Sequence, residues 1–152
     1  MTWRKNLRLP ALLAALIVAA MIFTACGSSK NVQESGIETP VGTLDYPAEW
    51  NGEVEVEQKQ SDGEYTASFY AKVSDDKVEL FELLVGATEG SYRLGSAPNK
   101  DGNSADIWLN IEEIEREDSW TDEEYDHIND LQSGVNDLID QLNGMDGFKA
   151  ES

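Results

Sequence analysis

Five short segments between residues 53 and 114 have the pattern of β-strands, and in most of them apolar and polar residues alternate, as expected of strands with one buried face. In the cleanest segment, residues 65–73, every second side chain is apolar or aromatic. Turn residues separate the segments, and Asp62-Gly63 is typical of a two-residue hairpin, so antiparallel neighbours are favoured. We therefore predict strands over residues 53–59, 65–73, 78–85, 91–97 and 105–114, with 42–50 as a further edge strand or turn.

The third segment, residues 78–85, differs from the others because both of its faces are apolar. One face carries Val78, Leu80 and Leu84, and the opposite face carries Phe81, Leu83 and Val85. A strand with two apolar faces belongs in the middle of a sheet that is covered on both sides. The pattern therefore predicts a central strand with at least partial cover on each face.

One amphipathic helix is predicted to follow the strands. Thr121 and Glu124 form a capping box, in which each side chain can satisfy a backbone N–H at the start of the helix. Asn143-Gly144 marks its end, and Gly134 in the middle would permit a close contact. The apolar stripe recurs every three or four residues and consists of Tyr125, Ile128, Leu131, Val135, Leu138, Ile139 and Leu142.

These elements together predict an α+β fold. We expect an antiparallel β-meander sheet of five to six strands, with one C-terminal amphipathic helix packed on a face. A chain of this length can form a modest hydrophobic core, so a single domain is predicted over residues 41–146. Residues 147–152 are expected to be a disordered tail.

The first 25 residues have the three parts of a secretory signal peptide. A basic start without acids is followed by an apolar run over residues 11–23 and by small residues before Cys26. As a helix the apolar run would extend about 20 Å, too short for a hydrocarbon core of about 30 Å. The segment is therefore predicted to be a cleaved signal rather than a transmembrane helix.

The run Phe23-Thr24-Ala25-Cys26 resembles the lipobox of bacterial lipoproteins, with phenylalanine where leucine is usual. The resemblance implies cleavage before Cys26 and a diacylglyceryl group on that cysteine. Two acyl chains give stable membrane attachment, so the implied location is the extracytoplasmic face of the cell membrane. An ordinary signal peptide with a stray cysteine is the alternative.

Acidic side chains dominate the chain, with 30 Asp and Glu against 11 Lys and Arg and a formal net charge of −19. Such a field repels phosphate backbones, so no nucleic-acid partner is predicted. It would attract a cationic partner or a divalent cation, although acids can simply keep an exposed domain soluble. Residues 26–40 are almost wholly polar and are predicted to be the lipidated cysteine followed by a flexible tether.

Four segments carry a second resemblance: residues 39–50, the strand 65–70, residues 78–81 and the helix opening 120–124. Together they resemble a group of small lipoproteins of Gram-positive bacteria, and the resemblance covers most of residues 39–143. It implies an architecture and a membrane location. It carries over no activity and no site residue.

The sequence contains no recognisable catalytic constellation. His127 lies among acids in the predicted helix, where a solvated residue is expected rather than a catalytic base. Loop 99–106 has oxygen ligands at alternate positions but not the EF-hand spacing, so a polar hairpin loop is favoured over a calcium site. We predict that the protein is not an enzyme and has no cofactor or metal.

Aromatic side chains are the remaining candidates for a ligand site. Tyr70 and Trp108 lie opposite the main apolar faces of their strands, and Trp50 and Trp120 lie at the ends of elements. Exposed together, they could stack on a sugar ring or anchor a protein, whereas the alternative is that they complete the core. The prediction is a membrane-tethered, non-enzymatic protein-interaction or accessory domain, with a solute- or glycan-binding module and a small hydrolase as alternatives.

Overall fold

The computed structural model describes residues 28–31, as backbone only, and residues 35–152. The predicted signal peptide and Cys26 lie outside these residues. The described strands are β1 (Ser28–Asn31), β2 (Gly36–Thr39), β3 (Gly42–Asp45), β4 (Val54–Ser61), β5 (Glu64–Val73), β6 (Asp76–Val85), β7 (Tyr92–Pro98), β8 (Ser104–Asn110) and β9 (Lys149–Ala150). The helices are α1 (Asp122–Ser133) and α2 (Val135–Asn143), which are separated only by Gly134.

The main sheet is antiparallel and has the strand order β1-β4-β5-β6-β8-β7-β9, and β2 and β3 form a separate hairpin. β4, β5 and β6 follow one another as a meander. The predicted Asp62-Gly63 turn joins β4 to β5 with positive φ at both residues, as a type I′ hairpin requires. The helical segment contacts β5 and β6, so the predicted α+β class is confirmed.

The order of the sheet departs from a simple meander after β6. β8, not β7, pairs with β6, and β7 lies on the outer side of β8. The connection from β6 to β7 therefore crosses over β8. Trp108 on β8 lies beneath this crossover, and its Nε1 donates to the carbonyl of Ala87 at 3.1 Å.

A β-bulge at Leu80 changes which residues of β6 face the core. Phe69 on β5 is opposite Phe81, but Tyr70 is opposite Glu79, so Leu80 is the extra residue. Leu80 and Phe81 are consequently both buried. The expectation of two apolar faces along the whole strand was wrong. The extra residue reverses the faces of the sheet to which the side chains before it point.

The core is centred on aromatic rings between the sheet and the helices. Phe69 and Phe81 stack with their centroids 4.5 Å apart, and the Trp50 ring lies 5.3 Å from Phe69. The predicted capping box at the start of α1 is present, with Thr121 accepting from the Glu124 N–H. Buried residues of both helices cover this centre; they are Ile128, Leu131, Val135, Leu138 and Leu142.

Both predicted boundaries of the domain differ from the structure. Within the predicted tether 26–40, β1 pairs with β4, and β2 contributes Ile37, which is 1% exposed. Within the predicted tail 147–152, β9 pairs with β7, and Glu151 forms an ion pair with Arg93. Polar composition suggested disorder, but β1 and β9 gain strand partners that are distant in the chain, and β2 forms a hairpin with β3.

Candidate functional site

Two of the four candidate aromatic residues are core residues. Trp50 is 0% exposed and donates from Nε1 to the carbonyl of Leu131 at 2.8 Å. Trp120 is 5% exposed. Their burial leaves neither indole available as an open platform for a sugar ring.

Tyr70 and Trp108 are half-buried on the other face of the sheet, and each is partly covered by the protein itself. The ammonium group of Lys77 lies over the Tyr70 ring, 4.1 Å from its centroid. The crossover packs on Trp108 so closely that a Cβ on Gly90 would lie 2.7 Å from the Trp108 Cβ. The four aromatic residues therefore do not form one exposed surface, and the most exposed large hydrophobic side chain described is Tyr92, at 58%.

The other sequence candidates lie apart from one another. His127 is exposed on α1, with Nε2 3.4 Å from a carboxylate oxygen of Glu53. In the loop between β7 and β8, Asn99 Oδ1 accepts from the backbone N–H groups of Asp101 and Asn103. Among the described residues, no group of three or more His, Cys, Asp or Glu side chains is placed to hold a metal ion.

A cleft of about 1030 Å³ lies between the first half of β6 and the irregular segment 111–117. Leu80, Phe81 and Trp120 contribute apolar lining. Eight acidic residues also line it: Asp76, Glu79, Glu82, Glu89, Glu112, Glu113, Glu115 and Glu117. We name this concavity the acidic cleft.

Gln132 bridges β6 and the segment that follows β8, next to the acidic cleft. β6 and β8 pair from Val85–Ile107 to Glu82–Asn110, and the same register would place Leu80 opposite Glu112. Instead, Gln132 Nε2 donates to both of those carbonyls, at 2.7 Å to Leu80 and 2.9 Å to Glu112. The side chain from α1 thus occupies the place where the strand ladder would continue.

The edge of β6 beyond Gln132 is open. From Asp76 to Phe81 the strand pairs with β5 on one side, and no described strand pairs with it on the other. The acidic cleft runs along this edge, and residues Asp76–Phe81 line it. An unpaired strand edge is a ready template for another extended chain.

Among the acidic residues that line the cleft, Glu79 has a carboxyl group whose pKa is raised. Partial burial, followed by repulsion from Glu82, raises the pKa of the Glu79 carboxyl, while the Tyr70 hydroxyl bond opposes that rise. Lys77 does not offset this rise in the pKa of Glu79, because its ammonium group pairs with Glu55 and Glu57 on β4. Those bonds, chiefly the one to Glu57, raise the pKa of Lys77. Lys77, the basic residue that lines the cleft, is therefore already paired with acids outside the cleft.

A buried donor without an acceptor adjoins the same cleft. Among the described residues, Trp120 Nε1 is the buried side-chain polar atom that lacks a hydrogen-bond partner. Leaving a buried donor unpaired costs about 1–3 kcal/mol. The carbonyl of Trp120, by contrast, accepts from Arg116 at 3.0 Å.

Comparison with known proteins identified no relative: no protein-family model, curated protein or solved structure matches the chain. In the part of the chain that the structure describes, no helix is long and apolar enough to cross a membrane. Sequence reasoning missed the acidic cleft. The only local signal was the acid-rich stretch 112–118, which has no strand or helix period.

Proposed function

We propose that this protein is a lipoprotein, anchored to the membrane through Cys26, whose extracytoplasmic domain binds a basic protein partner in the acidic cleft. The signal and lipobox resemblance support the location. The single observation that carries the binding role is the open edge of β6, which runs along a cleft whose lining includes eight acidic residues.

Electrostatics favours a cationic partner. Carboxylates that crowd one cleft repel each other, and a positive partner lowers that repulsion on binding. The pKa of Glu79 is raised chiefly by burial and then by repulsion from Glu82 in the free protein. A glycan-binding role is less well supported, because Trp50 and Trp120 are buried and Trp108 lies beneath the crossover.

Site-specific photocrosslinking in the producing cells tests the proposed function. A photoreactive amino acid replaces Glu113 in the acidic cleft, and a matched control replaces Asp101 in the exposed loop between β7 and β8. We expect a defined protein adduct from position 113 and none from position 101. Adducts of equal yield at the two positions would contradict a specific partner.

The adduct must also depend on the cleft carboxylates. Glu79→Gln with Glu82→Gln should abolish it. A control pair, Glu123→Gln with Asp130→Asn, changes the net charge equally on the exposed side of α1 and should leave the adduct intact. An equal loss of the adduct in both double variants would show that the interaction depends only on net charge.

A further inference from the structure

Resting on the proposed function, we infer that the partner binds by strand addition. An extended segment with lysine or arginine at alternate positions pairs its main chain with the open edge of β6. Gln132 closes one end of this edge, at Leu80 and Glu112, so pairing runs from there towards Asp76. The partner is thus defined by two features, an extended backbone and alternating positive side chains.

The strand ladder between β6 and β8 ends before β6 does, which leaves main-chain groups of β6 without a strand partner on that side among the described residues. β6 continues as a strand from Phe81 through the bulge at Leu80 back to Asp76, although β8 no longer accompanies it. Where the ladder ends, Gln132 Nε2 bonds the carbonyls of Leu80 and Glu112 in place of a direct bond between the two segments. In strand addition, main-chain hydrogen bonds provide affinity, and side chains at alternate positions provide specificity.

The spacing of side chains on an added strand explains why the partner should carry basic residues at alternate positions. Alternate residues of a strand point to the same face and lie about 7 Å apart. Carboxylates line both walls of the cleft, Glu79 and Glu82 from β6 and Glu113 and Glu115 from the opposite segment. Basic side chains at alternate positions would therefore meet acids along the cleft.

Main-chain donors distinguish a polypeptide from a simple cation as the ligand. The unpaired edge of β6 presents main-chain N–H groups. A polyamine or a metal ion has no carbonyl oxygen to offer them, whereas an added strand has one at every residue. The unpaired edge therefore indicates a ligand that contains peptide groups, and Trp120, which lines the same cleft, is placed to report its binding.

The test uses the full-length protein in detergent and synthetic peptides of about ten residues that alternate lysine and threonine. Two derivatives are N-methylated at every second residue, one on each set of alternate positions. Each derivative lacks the N–H groups of one strand edge and keeps the same charge. We expect one derivative to bind about tenfold more weakly than the other, because only one edge faces β6.

Three further measurements complete the test. Spermine should compete only weakly, since it carries charge without peptide groups. Glu79→Gln with Glu113→Gln should weaken the unmodified peptide, whereas Glu123→Gln with Asp130→Asn should not. In NMR spectra the indole N–H signal of Trp120 should shift on binding more than that of Trp50, which Leu131 already engages.

Equal binding of the two N-methylated peptides, or an unmoved Trp120 signal, would overturn strand addition. Spermine competing as strongly as the peptide would also overturn it. These failures differ from failure of the proposed function. If the crosslink at position 113 persists and needs the cleft carboxylates, the cleft still binds a protein, by a mode other than an added strand.

Discussion

Trp50 and Gly134 are packed so closely that the helical segment tolerates no side chain where they meet. A Cβ on Gly134 would lie 2.5 Å from Trp50 Nε1, the atom that donates to the Leu131 carbonyl. The glycine therefore does more than separate α1 from α2. It lets the helical segment settle on the buried indole at the centre of the core.

Gly134→Ala should therefore destabilise the protein. Alanine favours a helix by about 1 kcal/mol over glycine, but the crowded Cβ should shift Trp50 and cost more, leaving a net loss of about 1–3 kcal/mol. Urea unfolding measures the change. Gly144→Ala is the control, since its Cβ would meet nothing nearer than 3.5 Å. A more stable Gly134→Ala variant would contradict the contact.

Gln132→Glu should lower the free energy of unfolding by about 1–3 kcal/mol at neutral pH. A carboxylate cannot donate to the carbonyls of Leu80 and Glu112, and it would leave both without the side-chain bond. Gln60→Glu, at an exposed position near the end of β4, makes the same chemical change and should be nearly neutral. Equal stability of the two variants in urea would show that the Gln132 bonds contribute little.

Glu79→Gln should raise stability at pH 7. The pKa of Glu79 is raised in the folded protein, so its ionisation opposes folding as pH rises through that pKa. Below the unfolded pKa the carboxyl is protonated in both states, so the advantage of glutamine should vanish at about pH 4 or lower. Urea unfolding across this pH range measures it, and an advantage that is independent of pH would contradict the electrostatic cause.

Glu124→Gln should show the opposite sign. The backbone N–H of Thr121 lowers the pKa of Glu124, so the charged carboxylate supports the folded state above its unfolded pKa. The variant should therefore be less stable than wild type at pH 7, and the difference should shrink as pH falls through the folded pKa. A loss that grows on acidification would contradict this account of the capping box.

Cys26→Ser should release the protein from the membrane fraction if Cys26 is the lipid anchor. The two acyl chains would each contribute about 0.8 kcal/mol per buried CH₂, and serine cannot carry the thioether. Membrane fractionation and labelling with a radioactive fatty acid measure anchoring, with Ser28→Ala as the control. Wild-type protein that takes up no label would contradict lipidation.

The sequence by itself determined the local elements of this protein. Alternation with period two predicted β4 to β8 to within a few residues, except that β8 ends at Asn110, before the predicted 114. The helix start at Thr121 followed from its capping box. These features depend on neighbours within a few positions of the chain, so a local pattern of burial and hydrogen bonding is enough to specify them.

Only the tertiary structure decided which face of the sheet the first half of β6 presents to the core, which strand lies beside β6, and where the acidic cleft forms. The bulge at Leu80 adds one residue, and the local pattern does not show whether Val78 and Leu80 share a face with Leu84 or with Phe81. Gln132 is 52 residues from Leu80 in the chain, and no local pattern marks it as the group that ends the β6–β8 ladder. Pairing between distant segments depends on which surfaces meet, and only the assembled core determines that.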